Sequence, residues 1–325
     1  MKKILTLFLL LNSILIFSQN DCSDAIEVCG NGGYQDLTAI GVGIQELNGS
    51  NTCSSQENNS LWFKASINTA GNLGFTLTPT FADGTTNTDL SVDFDFFLFG
   101  PNVDCGNIGQ AIRCSTTNPV AAGSSSNLTG MNTTETDTAE GPGSRGNNFV
   151  SDIEVLAGES YFLVIDRPIG TSNFKIDWIG SATFNDPPTA TPPSIGEVYD
   201  QIVCDTDGVI DNSSVFDLTL NEGSLLNGQT NILTSYHTSI NDAITNENPI
   251  ADPINFINTS SPQDIYVRLT DQTTLCFDTT DFQLLVPTQP TANTPNAYEV
   301  CDDLSADGYY SNFLLNSKDS EVLIT

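Results

Sequence analysis

Val92-Asp93-Phe94-Asp95-Phe96-Phe97-Leu98-Phe99 alternates Val, Phe, Phe and Leu at the even positions with Asp, Asp, Phe and Phe at the odd ones. A period of two belongs to a strand with one buried face. The same period returns on both sides. Leu61, Phe63, Ala65 and Ile67 alternate with Trp62, Lys64 and Ser66, Leu73, Phe75 and Leu77 with Gly74 and Thr76, and Phe174, Ile176 and Trp178 with Lys175 and Asp177. Tyr161 to Ile165 is apolar throughout, as a central sandwich strand is. No window of about twelve residues carries a helical stripe. Residues 19–186 are therefore expected to form a jelly-roll-like β-sandwich.

Beyond this head the chain repeats itself. Val203-Cys204-Asp205 and Phe216-Asp217-Leu218 return as Val300-Cys301-Asp302 and Phe313-Leu314-Leu315, an offset of 97 residues (301 − 204). A fixed period of that size means tandem modules. Proline-rich stretches mark the boundaries, giving a linker at 187–197, a module at 198–288, a linker at 289–297 and the opening of a second, cut-off module at 298–325. Strand patterns at Val215–Leu220, Asn231–Tyr236, Ile265–Leu269 and Phe282–Val286 in about 90 residues suit an immunoglobulin-like β-sandwich, so the whole is read as all-β.

Residues 1–18 read as a signal peptide: Lys2 and Lys3, an apolar run from Ile4 to Phe17, then Ser18. The run is shorter than the ~20 residues of a spanning helix, so no retained transmembrane helix is expected. Loss of the two lysines takes the formal charge from −31 to −33. Phosphate binding requires clustered Lys and Arg, which excludes nucleic acid as a partner. The acidic excess fits divalent cations or simply keeps an exported protein soluble.

Eight cysteines in an exported chain point to disulfides. Cys204 with Cys276 is the pair within one module, and Cys105 with Cys114 brackets a short segment of the head. Cys301 is expected to find its partner further along. Cys22, Cys29 and Cys53 are left without an assignment. Zinc is the competing reading, but no CxxC occurs and His237 is the one histidine.

Asp93 and Asp95 share a strand face, roughly 7 Å apart. Between Cys114 and Phe149 runs a Ser, Thr, Asn and Gly-rich stretch, read as a long loop, that carries Glu135, Asp137 and Glu140. These three, with Asp93, Asp95 and Asp166, form a candidate calcium shell, since calcium takes roughly six to eight oxygens. The alternatives are a solvated acidic face and, less readily, the paired carboxylates of a glycosidase. A Ser-His-Asp arrangement fails because the head has no histidine, and no phosphate-binding loop is present. His237 is read as a half-exposed strand residue. No enzyme activity is expected. Trp62 and Trp178, with Phe97 and Phe99, lie opposite the core pattern and are candidates for stacking on sugar rings, or else are covered on both faces.

Asn58-Asn59-Ser60-Leu61-Trp62-Phe63-Lys64, Asp93-Phe94-Asp95-Phe96, Arg113-Cys114-Ser115, Glu135-Thr136-Asp137-Thr138, Ala157-Gly158-Glu159 and Trp178-Ile179-Gly180 together resemble the N-terminal domain of large secreted surface proteins of gliding Bacteroidetes. The Val-Cys-Asp openings, Phe216-Asp217-Leu218-Thr219, Asp242-Ala243, Asn248-Pro249 and Ile265-Tyr266-Val267-Arg268 look like the modules that follow in such proteins. The resemblance implies export followed by type IX secretion through a C-terminal sorting and gliding-motility-associated domain, absent from this sequence. It also implies O-glycosylation at Asp137-Thr138-Ala139. The second module departs from it, with Leu314 where an acidic residue is expected. The combined expectation is a secreted, cell-surface, adhesin-like protein that meets a polysaccharide or protein ligand. The alternative is a carbohydrate-binding region of a larger secreted enzyme.

Overall fold

The computed structural model describes residues 19–193, 198–205, 209, 211–287, 292–301, 308–310 and 313–322. The signal-peptide expectation for 1–18 and Asp302 of the second module opening lie outside them. The chain divides into two compact units. The first is 19–188 with Asn231–Leu233 and Thr270–Asp278, and the second holds the rest.

The first unit is a sandwich-like body of two mixed sheets. Its strands are β1 (Ile26–Glu27), β2 (Tyr34–Leu37), β3 (Ser60–Thr69), β4 (Gly71–Thr80), β5 (Asp93–Phe99), β6 (Arg113–Thr117), β7 (Thr129–Asn132), β8 (Ala139–Gly143), β9 (Phe149–Ser151), β10 (Ile153–Val155), β11 (Ser160–Ile169), β12 (Asn173–Gly180) and β13 (Thr183–Phe184). One sheet runs β1-β3-β11-β5-β6-β8 with β13 on β3, and the other β2-β12-β4-β7-β9 with β10 on β4. The long strands at the centre pair antiparallel, whereas β1 on β3, β6 on β8 and β7 on β9 are parallel. The even residues of β5 do what their period requires. Phe94, Phe96 and Leu98 pack with Phe63, Leu163 and Ile165 of their own sheet against Phe75, Leu77, Phe174 and Ile176 of the other.

The odd face of β5 is not solvated. All seven residues of the strand are buried. Phe97 and Phe99 enter a second apolar cluster with Trp62, Cys114, Phe162 and Val164 of the same sheet, closed from outside by Cys22 and Leu47 and flanked by Val103 and Ile108. This face thus lies beneath segments 19–57 and 100–112, which have little regular structure. The first sheet is a middle layer.

The stretch after Cys114, read above as a long loop, contributes strands to both sheets: β8 extends the first, β7 and β9 the second. Its polar composition hides them, although Met131 of β7 and Val150 of β9 still reach the inner core. Gly130 is required where β7 meets β4, because a Cβ there would stand 2.1 Å from the Phe75 carbonyl oxygen.

Residues 198–287 supply β14 (Gln201–Ile202), β15 (Val215–Phe216), β16 (Ile232–His237), β17 (Phe256–Ile257), β18 (Gln263–Asp271) and β19 (Phe277–Leu285). A curled half-barrel sheet of order β14-β19-β18-β16 accompanies the two-stranded β15-β17 pair. Of the strand expected at Val215–Leu220, two residues are extended. Asp217 then accepts hydrogen bonds from the Thr219 amide (3.0 Å) and hydroxyl (2.6 Å), turning the chain into a 3-10 turn at Leu218–Asn221 and a helix at Glu222–Leu226. The 97-residue period reappears here as structure: a 3-10 turn at Leu315–Lys318 leads into a helix at Asp319–Val322, each starting 97 residues after its counterpart.

Candidate functional site

Three disulfides join Cys22 to Cys105, Cys53 to Cys114 and Cys29 to Cys276, while Cys204 and Cys301 are free and exposed. Both expected pairings are thereby corrected. Cys105 and Cys114 do not close on each other because the residues between them lie across the outer cover, where the Ala111 amide bonds the Asn51 carbonyl at 3.1 Å. Each cysteine instead meets one from segment 19–57. Cys204 and Cys276 lie towards opposite ends of β19: Ile202 is in register with Leu285, whereas Cys276 immediately precedes Phe277. Strand rise separates those ends by roughly 25–30 Å, against the ~4.4–6.8 Å between Cα atoms that a disulfide spans. Cys276 bonds Cys29 across a Cα distance of 5.6 Å and a sequence separation of 247.

Under the cover lies a row of carboxylates. Asp95 is in register with Asp166 of β11, and Asp93 is two residues along β5. Asp166, with no exposed surface, accepts from the Asn58 amide (2.6 Å), the Asn58 side chain (2.8 Å) and the Asn59 amide (2.8 Å). Asp93 accepts from Asn118 (2.9 Å) and Asp95 from Ser55 (3.2 Å), and each keeps its other oxygen, Oδ1, buried without a partner. Burial raises all three carboxyls above the ordinary range. Asp95 is raised most, by burial first and then by the charges of Asp93 and Asp166.

Glu57, in the cover itself three residues before β3, performs the same office. It accepts from the Trp62 indole at 2.9 Å and from the amides of Glu46 and Leu47 at 2.9 and 3.0 Å. Burial raises its carboxyl, and Glu46, desolvated and beside Glu57, Asp21 and Asp24, is pushed up to about 7. These acids hold loop 45–59 onto the sheet.

The six residues of the expected calcium shell fall into two groups. Glu140 sits on β8, two strands from β5 and so roughly 10 Å away by strand spacing. Its carboxylate accepts from the Asn147 amide at 2.8 Å and the Asn148 amide at 2.7 Å, and burial raises its pKa. Glu135 accepts from the Asn147 side chain, and Asp137 is exposed. Among the described residues no group of three or more His, Cys, Asp or Glu is placed to hold a metal ion.

The two tryptophans differ: Trp62 has no surface left for a sugar, whereas Trp178 is half-buried. Trp62 is wholly buried, stacked on Phe99 at 6.5 Å between centroids and edge-on to Phe162 at 6.1 Å. Trp178 is wedged between Phe184 (4.9 Å) and Phe75 (6.0 Å). Phe97 and Phe99 are buried with Trp62. His237, expected at a half-exposed position, is also wholly buried. Its Nδ1 faces the Glu247 carbonyl at 2.8 Å, which makes that nitrogen the donor, and its Nε2 then accepts from Ser235 at 2.9 Å.

One cleft of about 300 Å³ opens in the first unit beside Ala39, Ile40, Thr80, Phe81, Arg167 and Ser172. Ile40 and Phe81 are 66 % and 53 % exposed, while Arg167 is buried and donates to the carbonyls of Gly170 and Ala39. Sequence reasoning missed this cleft because its lining comes from four separate stretches.

A disulfide-rich, mostly β protein of this kind matures in an oxidising compartment, extracellular or periplasmic. Among the described residues no helix is long and apolar enough to cross a membrane. Residues 200–290 match the family described as the Flavobacterium inter-domain disulphide bond domain, consistent with a Bacteroidetes protein. No curated protein matches the chain.

Proposed function

We propose that the chain is the front of an exported, adhesin-like surface protein with a structural and binding role and no catalysis. In this reading the first body is a jelly-roll-like head with parallel strands added at its edges. The module at 198–288 is an immunoglobulin-like repeat that holds the head away from the cell, and a later sorting domain carries the whole through type IX secretion. The observation that carries it is the Cys29–Cys276 disulfide, which ties the start of the head to the hairpin of a repeating module. A covalent tie of this kind suits a load-bearing array better than a freely hinged pair of domains. The family matched at residues 200–290, the Flavobacterium inter-domain disulphide bond domain, supports the same reading.

The burial and double engagement of His237 fit a non-catalytic role, because no imidazole is left as a general base. For ligand contact, the cleft beside Arg167, with Phe81 and Ile40 at its rim, replaces the buried Trp62 as the place to look. The test is proteolysis within the 187–197 linker. The head and module fragments are expected to run together without reductant and apart with it. Separation without reductant would overturn the reading.

A further inference from the structure

Thr80 ends β4 and is in register with Asn173, the first residue of β12, while Arg167 lies near the end of β11 in the other sheet. Both Thr80 and Arg167 line the cleft of about 300 Å³ described above. Each has a buried polar atom that the protein leaves unanswered. Arg167 is 8 % exposed, its terminal nitrogens donate to the carbonyls of Gly170 and Ala39, and its Nε has no partner. Thr80 is 2 % exposed and its Oγ1 has no partner. The Ser172 hydroxyl, on the same lining, is engaged, donating to the Thr80 carbonyl at 2.8 Å. The charge of Arg167 is also uncompensated. Among the described residues the ion pairs are Lys64 with Glu27, Lys175 with Asp177 and Lys318 with Glu321, and the adjacent Asp166 is taken up by Asn58 and Asn59.

An unanswered N–H and an unanswered hydroxyl on the lining of one cleft, with an unpaired positive charge, call for a carboxylate. It accepts from both and neutralises the charge. Phe81 and Ile40 add an apolar rim against which the C–H face of a sugar ring can lie. The volume is at the low end of the ~300–1,000 Å³ usual for small-molecule sites, so a short saccharide fits and a folded segment does not. Arg167 is the one charged residue of the lining, and Asp83 stands in the turn just beyond Phe81. On a chain of formal charge −31 a dense anion such as an acidic peptide is repelled, whereas a sugar with one carboxylate per ring brings a single charge to Arg167. We propose that this cleft binds a uronate residue of an acidic polysaccharide, its carboxylate accepting from Arg167 Nε and Thr80 Oγ1 and its ring lying on Phe81. The inference deepens the reading of the cleft as the ligand contact of the head and rests on it.

The test is titration calorimetry of the intact 19–325 chain with trigalacturonate and trimannuronate, with both sugars after reduction of their carboxyls to alcohols, and with triglutamate. One or both uronates are expected to bind at millimolar concentration or below, and the reduced sugars and the peptide about tenfold more weakly or worse. Thr80→Val should weaken uronate binding by about fivefold or more and leave Tm unchanged or raised, because the lost hydroxyl holds nothing in the free protein. Phe81→Ala, at an exposed position, should weaken binding with the fold intact. Equal binding of a reduced sugar, lost in Thr80→Val, would keep the cleft as the contact and overturn the uronate. Triglutamate bound as tightly as the uronates overturns the saccharide. Uronate binding that neither substitution changes overturns the location, and no binding of any probe overturns the proposal together with the reading of the cleft as the contact. Proteolysis of the linker reads the disulfide tie apart from all of these, so the array and the cleft can fail separately.

Discussion

Replacing Asp95 by asparagine changes one atom in the acid of the head whose carboxyl is raised furthest. Asp95 is 3 % exposed, accepts one hydrogen bond from Ser55, leaves Oδ1 without a donor and faces Asp93 and Asp166. Asparagine keeps the acceptor for Ser55, and its amide can donate to a neighbouring carboxylate. The folded-state pKa of Asp95 is raised by burial and by those neighbours. Its contribution to stability is therefore fully present below the unfolded value, near 3.8, and is lost as pH rises through the folded value. At pH 4 and below, Asp95→Asn and the parent should be similar. Above the folded pKa the variant should be the more stable, by about 1–3 kcal/mol, the usual cost of a buried unsatisfied polar group. For a body of this size that is about 2–4 °C in Tm per kcal/mol. The assay is thermal unfolding of the intact 19–325 chain from pH 4 to pH 8, with chelator and again with millimolar calcium. A variant less stable than the parent at pH 7, or a difference that does not change with pH, would refute the reasoning. So would calcium stabilisation of the parent that the variant lacks, because the acids would then be cation ligands rather than anchors for the cover.

Trp62→Ala should cost about 3–5 kcal/mol, measured by urea denaturation, since it empties the outer cluster and strips a donor from Glu57. Trp62→Phe, which keeps most of the volume, should cost distinctly less. Cys53→Ser with Cys114→Ser opens a link of 61 residues and should lower stability by about 2–5 kcal/mol, with Trp62 fluorescence shifting as water reaches the ring. Gly146→Ala should cost about 1–3 kcal/mol in the same assay, because φ there is +113° and the new Cβ would stand 2.2 Å from the Glu140 carboxyl carbon that holds the Asn147 and Asn148 amides.

The inner core was legible because its strands obey a strict period of two: β3, β4, β5 and β12 lie where alternation puts them, and the apolar run at 161–165 is the centre of its sheet. The outer face of that sheet was not. Trp62, Phe97 and Phe99 occupy the positions a solvated face would, and what buries them are the segments 19–57 and 100–112, which have no period of their own. The same limit hid the disulfides, since nearness in sequence favours Cys105 with Cys114 whereas the sheet brings each to segment 19–57. Edge strands β8 and β9 and the short strand β7 beside them escaped because they lie in a polar stretch with no alternation of apolar residues to mark them. The turn after Phe216 was in principle readable, since Asp217-Leu218-Thr219 is a side-chain turn signal, as Ser239 with Asp242 is for the helix at Ile240–Thr245.

The cover explains why so acidic a chain buries so many acids. A segment of few apolar residues and little secondary structure gains little from burial on its own, while ordering each residue costs about 1–2 kcal/mol. It is held by two kinds of contact that do not depend on an apolar stripe. Disulfides fix Cys22 and Cys53, and the carboxylates of Glu57 and Asp166 collect amides that an irregular loop would otherwise leave unpaired. Both are fastened to the odd face of one sheet, whereas the even face closes on the second sheet by apolar packing alone. The two faces should therefore fail separately. Reduction at neutral pH should expose the Trp62 cluster before the inner sandwich unfolds. Loss of near-ultraviolet signal and of sheet content in a single step would show that the cover and the sandwich are one cooperative unit.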